Sequence, residues 1–319
     1  MKKTLLAITL AVLSLSANAK IEPSPADMVN PLMGTLSKHS LSTGNTYPAI
    51  ALPWGMNFWM PQTGRMGDGW AYVYTDDKIR DFKQTHQPSP WINDYAQFAI
   101  MPEAGKAPEF HQDKRASWFS HKSEVARPYF YKVYLADYDI RAEIAPTQRA
   151  CMMRFTYPKT DSASIVIDAF DDNSEVVVLP ELNMVMGYTT KNNGGVPENF
   201  RNYFVIQFSH PIAYMLNPEG KAIKLTEKVK RGCIVGFKTS HRNEQVTARV
   251  ASSFVSYDQA MLNLKELQQA GETLENIAVH GQKQWNEVLG RVEVNDENID
   301  HKRTFYSCLY RCLLFPRML

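Results

Sequence analysis

Apolar and polar positions alternate with period two over two adjacent stretches. Tyr129, Tyr131, Val133 and Leu135 are interleaved with Phe130, Lys132 and Tyr134, and then Ile140, Ala142 and Ile144 with Arg141 and Glu143. That period sends successive side chains to opposite faces, so both stretches predict half-buried strands. Further strands are expected over residues 151–157, 164–169, 176–179, 203–208, 233–237 and 246–255, separated by clusters such as Asp171-Asp172-Asn173 and Asn192-Asn193-Gly194-Gly195. Many short strands with frequent turns and few helices predict an antiparallel β-sandwich. Residues 20–70 show little periodicity but much Gly, Pro, Asn and Thr, which predicts long ordered loops pinned by Trp54, Phe58, Trp59 and Trp70.

The grammar changes at Ser256. Ser256 with Gln259 three residues on is a capping box, and Leu262, Leu264 and Leu267 follow before a stop at Gly271. A second helix carries Leu274, Ala278, Gly281, Trp285 and Val288 near a 3.6 period and stops at Gly290. Arg291-Val292-Glu293-Val294 reads as a strand leading to a third helix from Asn298, with Phe305, Leu309, Cys312 and Leu313 as its apolar stripe. Because Leu314, Phe315, Met318 and Leu319 keep the chain apolar to its last residue, the chain is expected to continue into a further partner surface.

Composition adds a compartment and removes several partners. Residues 1–19 read as a secretory signal, with Lys2 and Lys3 as the basic start, an apolar run over 5–15 and Ala17-Asn18-Ala19 as a cleavage site. The mature protein is then expected to be exported, periplasmic or extracellular in a bacterium, with no membrane anchor. With 44% hydrophobic and 21% charged residues and a formal balance of zero after cleavage, nothing favours electrostatic capture of nucleic acid or an anionic membrane. The 11% aromatic content suits a neutral partner such as a glycan. Of four cysteines, Cys308 and Cys312 lie four apart on a predicted helix, where side chains run parallel and pair poorly. His301 shares that face, a weak zinc pattern beside the simpler reading as free thiols. Asp168, Asp171, Asp172 and Asn173 fit no calcium loop and predict a solvated turn.

The chemistry concentrates in residues 82–95, Phe-Lys-Gln-Thr-His-Gln-Pro-Ser-Pro-Trp-Ile-Asn-Asp-Tyr. Pro88 and Pro90 fix φ and remove donors, while short polar side chains crowd around Trp91; this predicts a rigid surface loop. Such a mixture suits sugar, because a flat aromatic covers the C–H face of a pyranose and short polar groups bond its hydroxyls. The bland alternative makes Trp91 a plug at the end of a sandwich and His86 a structural histidine.

The string Thr85-His86-Gln87-Pro88-Ser89-Pro90-Trp91-Ile92-Asn93-Asp94-Tyr95 resembles the N-terminal domain of family-92 glycoside hydrolases, bacterial exo-acting α-mannosidases. Val29-Asn30-Pro31-Leu32-Met33-Gly34-Thr35, Gly44-Asn45-Thr46-Tyr47-Pro48, Pro53-Trp54-Gly55-Met56 and Gly69-Trp70-Ala71-Tyr72 carry the same resemblance in order. It reaches Thr304-Phe305-Tyr306, Leu309-Tyr310-Arg311 and Phe315-Pro316-Arg317. It implies a galactose-mutarotase-like supersandwich over 20–255, then linker helices over 256–319 leading into an (α/α)6 catalytic barrel absent from this chain.

The resemblance further implies the substrate-recognising part of a secreted, calcium-dependent, inverting enzyme acting on terminal α-mannosides, α-1,2-linked ones among them, of glycoproteins or mannans. Both catalytic carboxylates and the main calcium ligands belong to the barrel in that family, so no residue of this chain is expected to be catalytic or to bind metal. Trp91 matches the position lining the leaving-group subsite; His86, Ser89 and Asp94 are expected to contact the mannose-containing glycan or brace the loop. Asn93 and Ala96 stand where relatives carry Gly, which puts the loop's backbone and linkage preference in question. A carbohydrate-binding module without catalysis is the alternative, and a structural or adhesive sandwich a third reading that leaves this string unexplained.

Overall fold

The computed structural model describes residues 22–36, 38, 40, 46–65, 71–87, 95–105, 107–192 and 194–319. Two antiparallel sheets dominate them. The seven-stranded sheet runs β1 (Phe58–Gln62), β3 (Asp81–Thr85), β4 (Phe98–Glu103), β10 (Ala163–Asp168), β17 (Gly232–Phe237), β14 (Ile212–Leu216), β15 (Ala222–Ile223). The nine-stranded sheet runs β16 (Val229–Lys230), β11 (Glu175–Leu179), β12 (Met184–Thr189), β13 (Asn202–Phe208), β18 (Glu244–Ser253), β9 (Ala150–Tyr157), β8 (Ile140–Pro146), β7 (Phe130–Leu135), β6 (Val125–Arg127). A small pair, β2 (Lys78–Ile79) and β5 (Ser117–Trp118), lies beside them.

The expected alternation is what joins the sheets. Tyr131, Val133 and Leu135, and Ile140, Ala142 and Ile144, are buried in one core with Phe82, Phe98 and Ile100 of the facing sheet. Lys132, Tyr134 and Arg141 turn outward. β7 therefore offers one apolar face to the partner sheet and one more polar face outward.

The described residues also form six α-helices: α1 (Pro25–Met28) near the start, the one-turn α2 (Gln112–Arg115) between strands, and after the sheets α3 (Tyr257–Leu264), α4 (Glu266–Gln269), α5 (Leu274–Leu289) and α6 (Ile299–Leu313). Ser256 Oγ accepts from Gln259 N at 3.1 Å, so the cap opens α3 where the capping box predicts. Helices α3 to α5 pack Ala260, Leu264, Leu267, Leu274 and Ile277 on Ala145, Met152, Val205 and Ala251, the outer face of the nine-stranded sheet. Trp285 and Tyr310 close a second cluster with Tyr47, Leu52, Phe58 and Met60; of the other expected aromatic pins, Trp59 lies in the first core, Trp54 is half-buried and Trp70 lies outside the described residues.

Three expectations change. The loop region contains β1, whose Phe58, Trp59 and Met60 are all buried; with both faces covered, such a strand shows no alternation. Residues 291–294 form no strand but an extended connection into α6. On α6 the buried positions are Tyr306, Ser307 and Tyr310, with Leu314 just beyond; Phe305, Leu309 and Leu313 are half-buried, and Cys312 is exposed. Amphipathic tyrosines took the inner face because Tyr306 and Tyr310 find carbonyl acceptors there, Val292 O and Ala49 O.

Candidate functional site

Residues 82–87 are not the surface loop that their polarity suggests. Phe82 to Thr85 belong to β3, between β1 and β4, and all are buried. One polar group is met inside: Gln84 Nε2 donates to Ala96 O and to Asn202 Oδ1, each at 3.2 Å. Residues 88–94 lie outside the described residues, and with them the sequence-predicted Trp91, Ser89 and Asp94.

His86 is fully buried at the root of that segment. Its Nδ1 lies 2.9 Å from Tyr95 O and its Nε2 3.0 Å from Asn57 Oδ1. Asn57 in turn donates to Arg149 O at 2.8 Å and Ser252 Oγ at 3.0 Å. Burial, with the nearby Arg317 cation adding to it, holds the imidazole well below its ordinary range, so the ring is neutral and carries one N–H. It spans the neck of the segment: one nitrogen faces the carbonyl at its far end, the other a side chain of the sandwich.

Aromatic rings continue the brace. Tyr95 stacks on His86, meets Phe200 edge-on at 6.1 Å and Phe254 at 6.0 Å, and carries the Arg317 guanidinium 5.0 Å above its ring. Phe200 comes from the β12–β13 connection, Phe254 follows β18, and Arg317 follows α6, so four separate parts of the chain converge here. Ala96 N donates to Lys191 O at 2.8 Å, and Ala96 takes φ +59, a left-handed conformation that explains a preference for Gly at this position. The Tyr47 hydroxyl donates to Gln87 O, and Arg311 holds Tyr47 O at 2.7 Å and Pro31 O at 2.6 Å. Sequence reasoning missed Asn57, Tyr95, Phe200 and Phe254; Tyr95 alone, as the end of the motif, gave a signal.

Four carboxylates, Asp81, Asp168, Glu124 and Glu103, are occupied elsewhere. Arg115 is fully buried between Asp81 and Asp168, each oxygen 3.0 Å away, so Asp168 belongs to an internal ion pair and not to a solvated turn. Tyr72 and Tyr131 donate to Glu124, with His121 2.6 Å from its other oxygen. Tyr138 donates to Glu103 at 3.1 Å. Among the described residues there is no group of three His, Cys, Asp or Glu side chains that could hold a metal ion. Cys151 and Cys233 are buried free thiols, Cys308 and Cys312 exposed ones, and His301 pairs with Asp296 at 2.9 Å.

Residues 28–253 match the family model of the glycosyl hydrolase family 92 N-terminal domain, and residues 259–319 match that of the family 92 catalytic domain. The chain belongs to glycosyl hydrolase family 92. The family 92 inverting mannosidase BT2199 from Bacteroides thetaiotaomicron VPI-5482 superposes with a TM-score of 0.85 at 43% identity, over 94% of this chain and 41% of that one. The family 92 α-mannosidase BT3965 from Bacteroides thetaiotaomicron does so with a TM-score of 0.81 at 28% identity, over 93% of this chain and 42% of that one. The same enzyme has been solved with mannoimidazole, at a TM-score of 0.80. This chain therefore spans about two fifths of the family 92 structures it matches. No curated protein matches it. No helix among the described residues is long and apolar enough to cross a membrane.

Proposed function

We propose that this chain is the substrate-recognising N-terminal part of an exported, inverting α-mannosidase that removes terminal α-mannosides, α-1,2-linked ones among them, from mannose-containing glycans. The observation that carries the reading is the neck formed by His86, Asn57 and Tyr95, which fixes both ends of the segment bearing Trp91, in a chain 43% identical to an inverting mannosidase over 94% of its length. A rigid root lowers the entropy lost when a loop closes on sugar. Trp91 then supplies the stacking face, Ser89 and Asp94 contact the sugar or brace the segment, and His86 acts only by holding it.

Inversion needs an acid on the leaving oxygen and a base on a water across the ring, two carboxylates wide enough apart to admit that water. Asp81, Asp168, Glu124 and Glu103 are already held by Arg115, Tyr72, Tyr131 and Tyr138; the reading assigns acid, base and calcium ligands to the part of the relatives' length that this chain does not span. This chain's own residues bind and orient the leaving-group sugar.

The test is mannose release from α-1,2-mannobiose, with and without calcium, by the purified chain and by the same chain joined to a family 92 catalytic domain. The reading expects turnover only from the joined protein. Turnover by the chain alone would place the catalytic carboxylates within it, and binding without turnover in the joined protein would favour a binding module.

A further inference from the structure

The helices cover only one end of the nine-stranded sheet's outer face. Ala145, Met152, Val205 and Ala251 lie beneath them, and Glu275 of α5 reaches Arg154 at 2.6 Å. One row further along, Tyr134, Arg141, Thr156 and Gln245 stand side by side across β7, β8, β9 and β18. There the face opens into a cleft of about 430 Å³ lined by Lys122, Lys132, Tyr134, Asp139, Arg141 and Asn243.

The cleft's charge is unbalanced. Its lining carries three cations, Lys122, Lys132 and Arg141, and one carboxylate, Asp139, which already accepts the Tyr134 hydroxyl at 2.9 Å; outside the lining, Glu143 stands opposite Lys132 on the neighbouring strand. Glu143, beneath Arg141, is engaged by Arg154 at 2.8 Å and stands 3.7 Å from Arg141. Among the described residues no carboxylate lies in ion-pair reach of Lys122 or Lys132. Lys132 is half-buried, its stem lying along the sheet. Beside these cations the Tyr134 ring is 42% exposed, a flat aromatic wall on an otherwise polar surface.

We propose that this cleft is a non-catalytic site for an anionic saccharide, a sugar ring carrying a phosphate, sulfate or carboxylate. The three cations supply charge-assisted hydrogen bonds to an oxyanion, and the Tyr134 ring supplies the face for pyranose C–H groups. The volume suits one or two sugar rings, and the basic patch is too short to track a nucleic-acid backbone. It is distinct from the segment at His86: Gln245 stands at one end of β18, whereas Phe254, touching His86, follows its other end. Nine residues of strand separate them, about 30 Å.

Calorimetric titration of the chain with glucose 6-phosphate, inorganic phosphate and glucose tests it. Glucose 6-phosphate should bind at least fivefold more tightly than inorganic phosphate and more tightly than glucose, and added salt should weaken it. The double variant K132Q/R141Q should weaken glucose 6-phosphate at least tenfold, and Tyr134→Ala should remove its advantage over inorganic phosphate. Trp91→Ala should leave this binding unchanged, which separates the cleft from the α-mannoside reading. Equal binding of inorganic phosphate and glucose 6-phosphate, insensitivity to salt, or full affinity in K132Q/R141Q with an unchanged circular-dichroism spectrum would each overturn it.

Discussion

The His86 imidazole lies parallel to the Tyr95 ring, centroids 5.6 Å apart and planes 9° from parallel, while its Nδ1 faces the Tyr95 carbonyl oxygen. One residue pair thus closes the neck of the segment twice, once through rings and once through the backbone. Replacing His86 by Ala leaves Tyr95 O and Asn57 Oδ1 without the ring and opens a hole against Phe254. The expected cost is about 2–4 kcal/mol of stability, from lost buried hydrogen bonds and packing. Urea denaturation of the variant checks it, and in a catalytically complete protein kcat/KM should fall along with stability.

That ring also sets a pH dependence. Its folded pKa is depressed from the ordinary 6.5, so below about that pH the unfolded chain takes up a proton that the folded chain refuses. Stability should fall as pH drops from 6.5, and His86→Gln, though less stable throughout, should show a shallower fall. Melting temperatures of both proteins between pH 5 and 8 provide the comparison; equal slopes would mean that the ring is already charged at its two oxygens.

Glu103 acts in the opposite sense. Burial pushes its carboxyl up to about 7, against the pull of Tyr138, the Glu109 amide and Arg115. Between the ordinary 4.5 and 7 the unfolded chain loses a proton that the folded chain keeps, so this group's contribution is lost as pH rises through that window. Glu103→Gln preserves the bond from Tyr138 and should flatten the stability profile between pH 5 and 7.

Arg115 is costly to remove. It is fully buried, with Asp81 and Asp168 both at 3.0 Å. Arg115→Met leaves two buried carboxylates facing each other's charge, so the loss should be about 3–5 kcal/mol at neutral pH and smaller in acid, where the carboxylates protonate. Chemical denaturation at pH 7 and pH 4 distinguishes this from simple loss of packing, which would cost the same at both.

The sandwich was legible because period two records which face of each strand meets the other sheet, as with Tyr131, Val133 and Leu135 against Lys132 and Tyr134. Strands buried on both faces gave no such record. Phe58 to Gln62 read as loop, and Phe82 to Thr85 as polar surface, because a polar side chain such as Gln84 finds its partner, Asn202, in a distant part of the chain. The motif was legible as a string, but its support was not. Asn57, Phe200, Phe254 and Arg317 lie between 29 and 231 residues from His86 in sequence, and only folding brings them to it. Nor was the left-handed backbone of Ala96, φ +59, legible from the string.

Two tryptophans separate recognition from folding. Trp285 is fully buried, donates from Nε1 to Ala51 O at 2.8 Å and packs against Tyr310 with ring centroids 5.2 Å apart. Trp285→Ala should therefore cost about 3–5 kcal/mol, as large-to-small changes in a core do. Trp91 is proposed as the face on which the leaving-group sugar stacks, and a stacked aromatic contributes on the order of 1 kcal/mol beyond the area it buries. In a catalytically complete protein, Trp91→Ala should lower kcat/KM for an α-linked disaccharide by about tenfold, with only a modest fall in melting temperature. Trp285→Ala should show the reverse pattern, a large fall in melting temperature with near-normal kinetics in the fraction still folded. If Trp91→Ala lowers the melting temperature as far as Trp285→Ala and leaves turnover untouched, Trp91 is a plug of the sandwich and not a sugar platform.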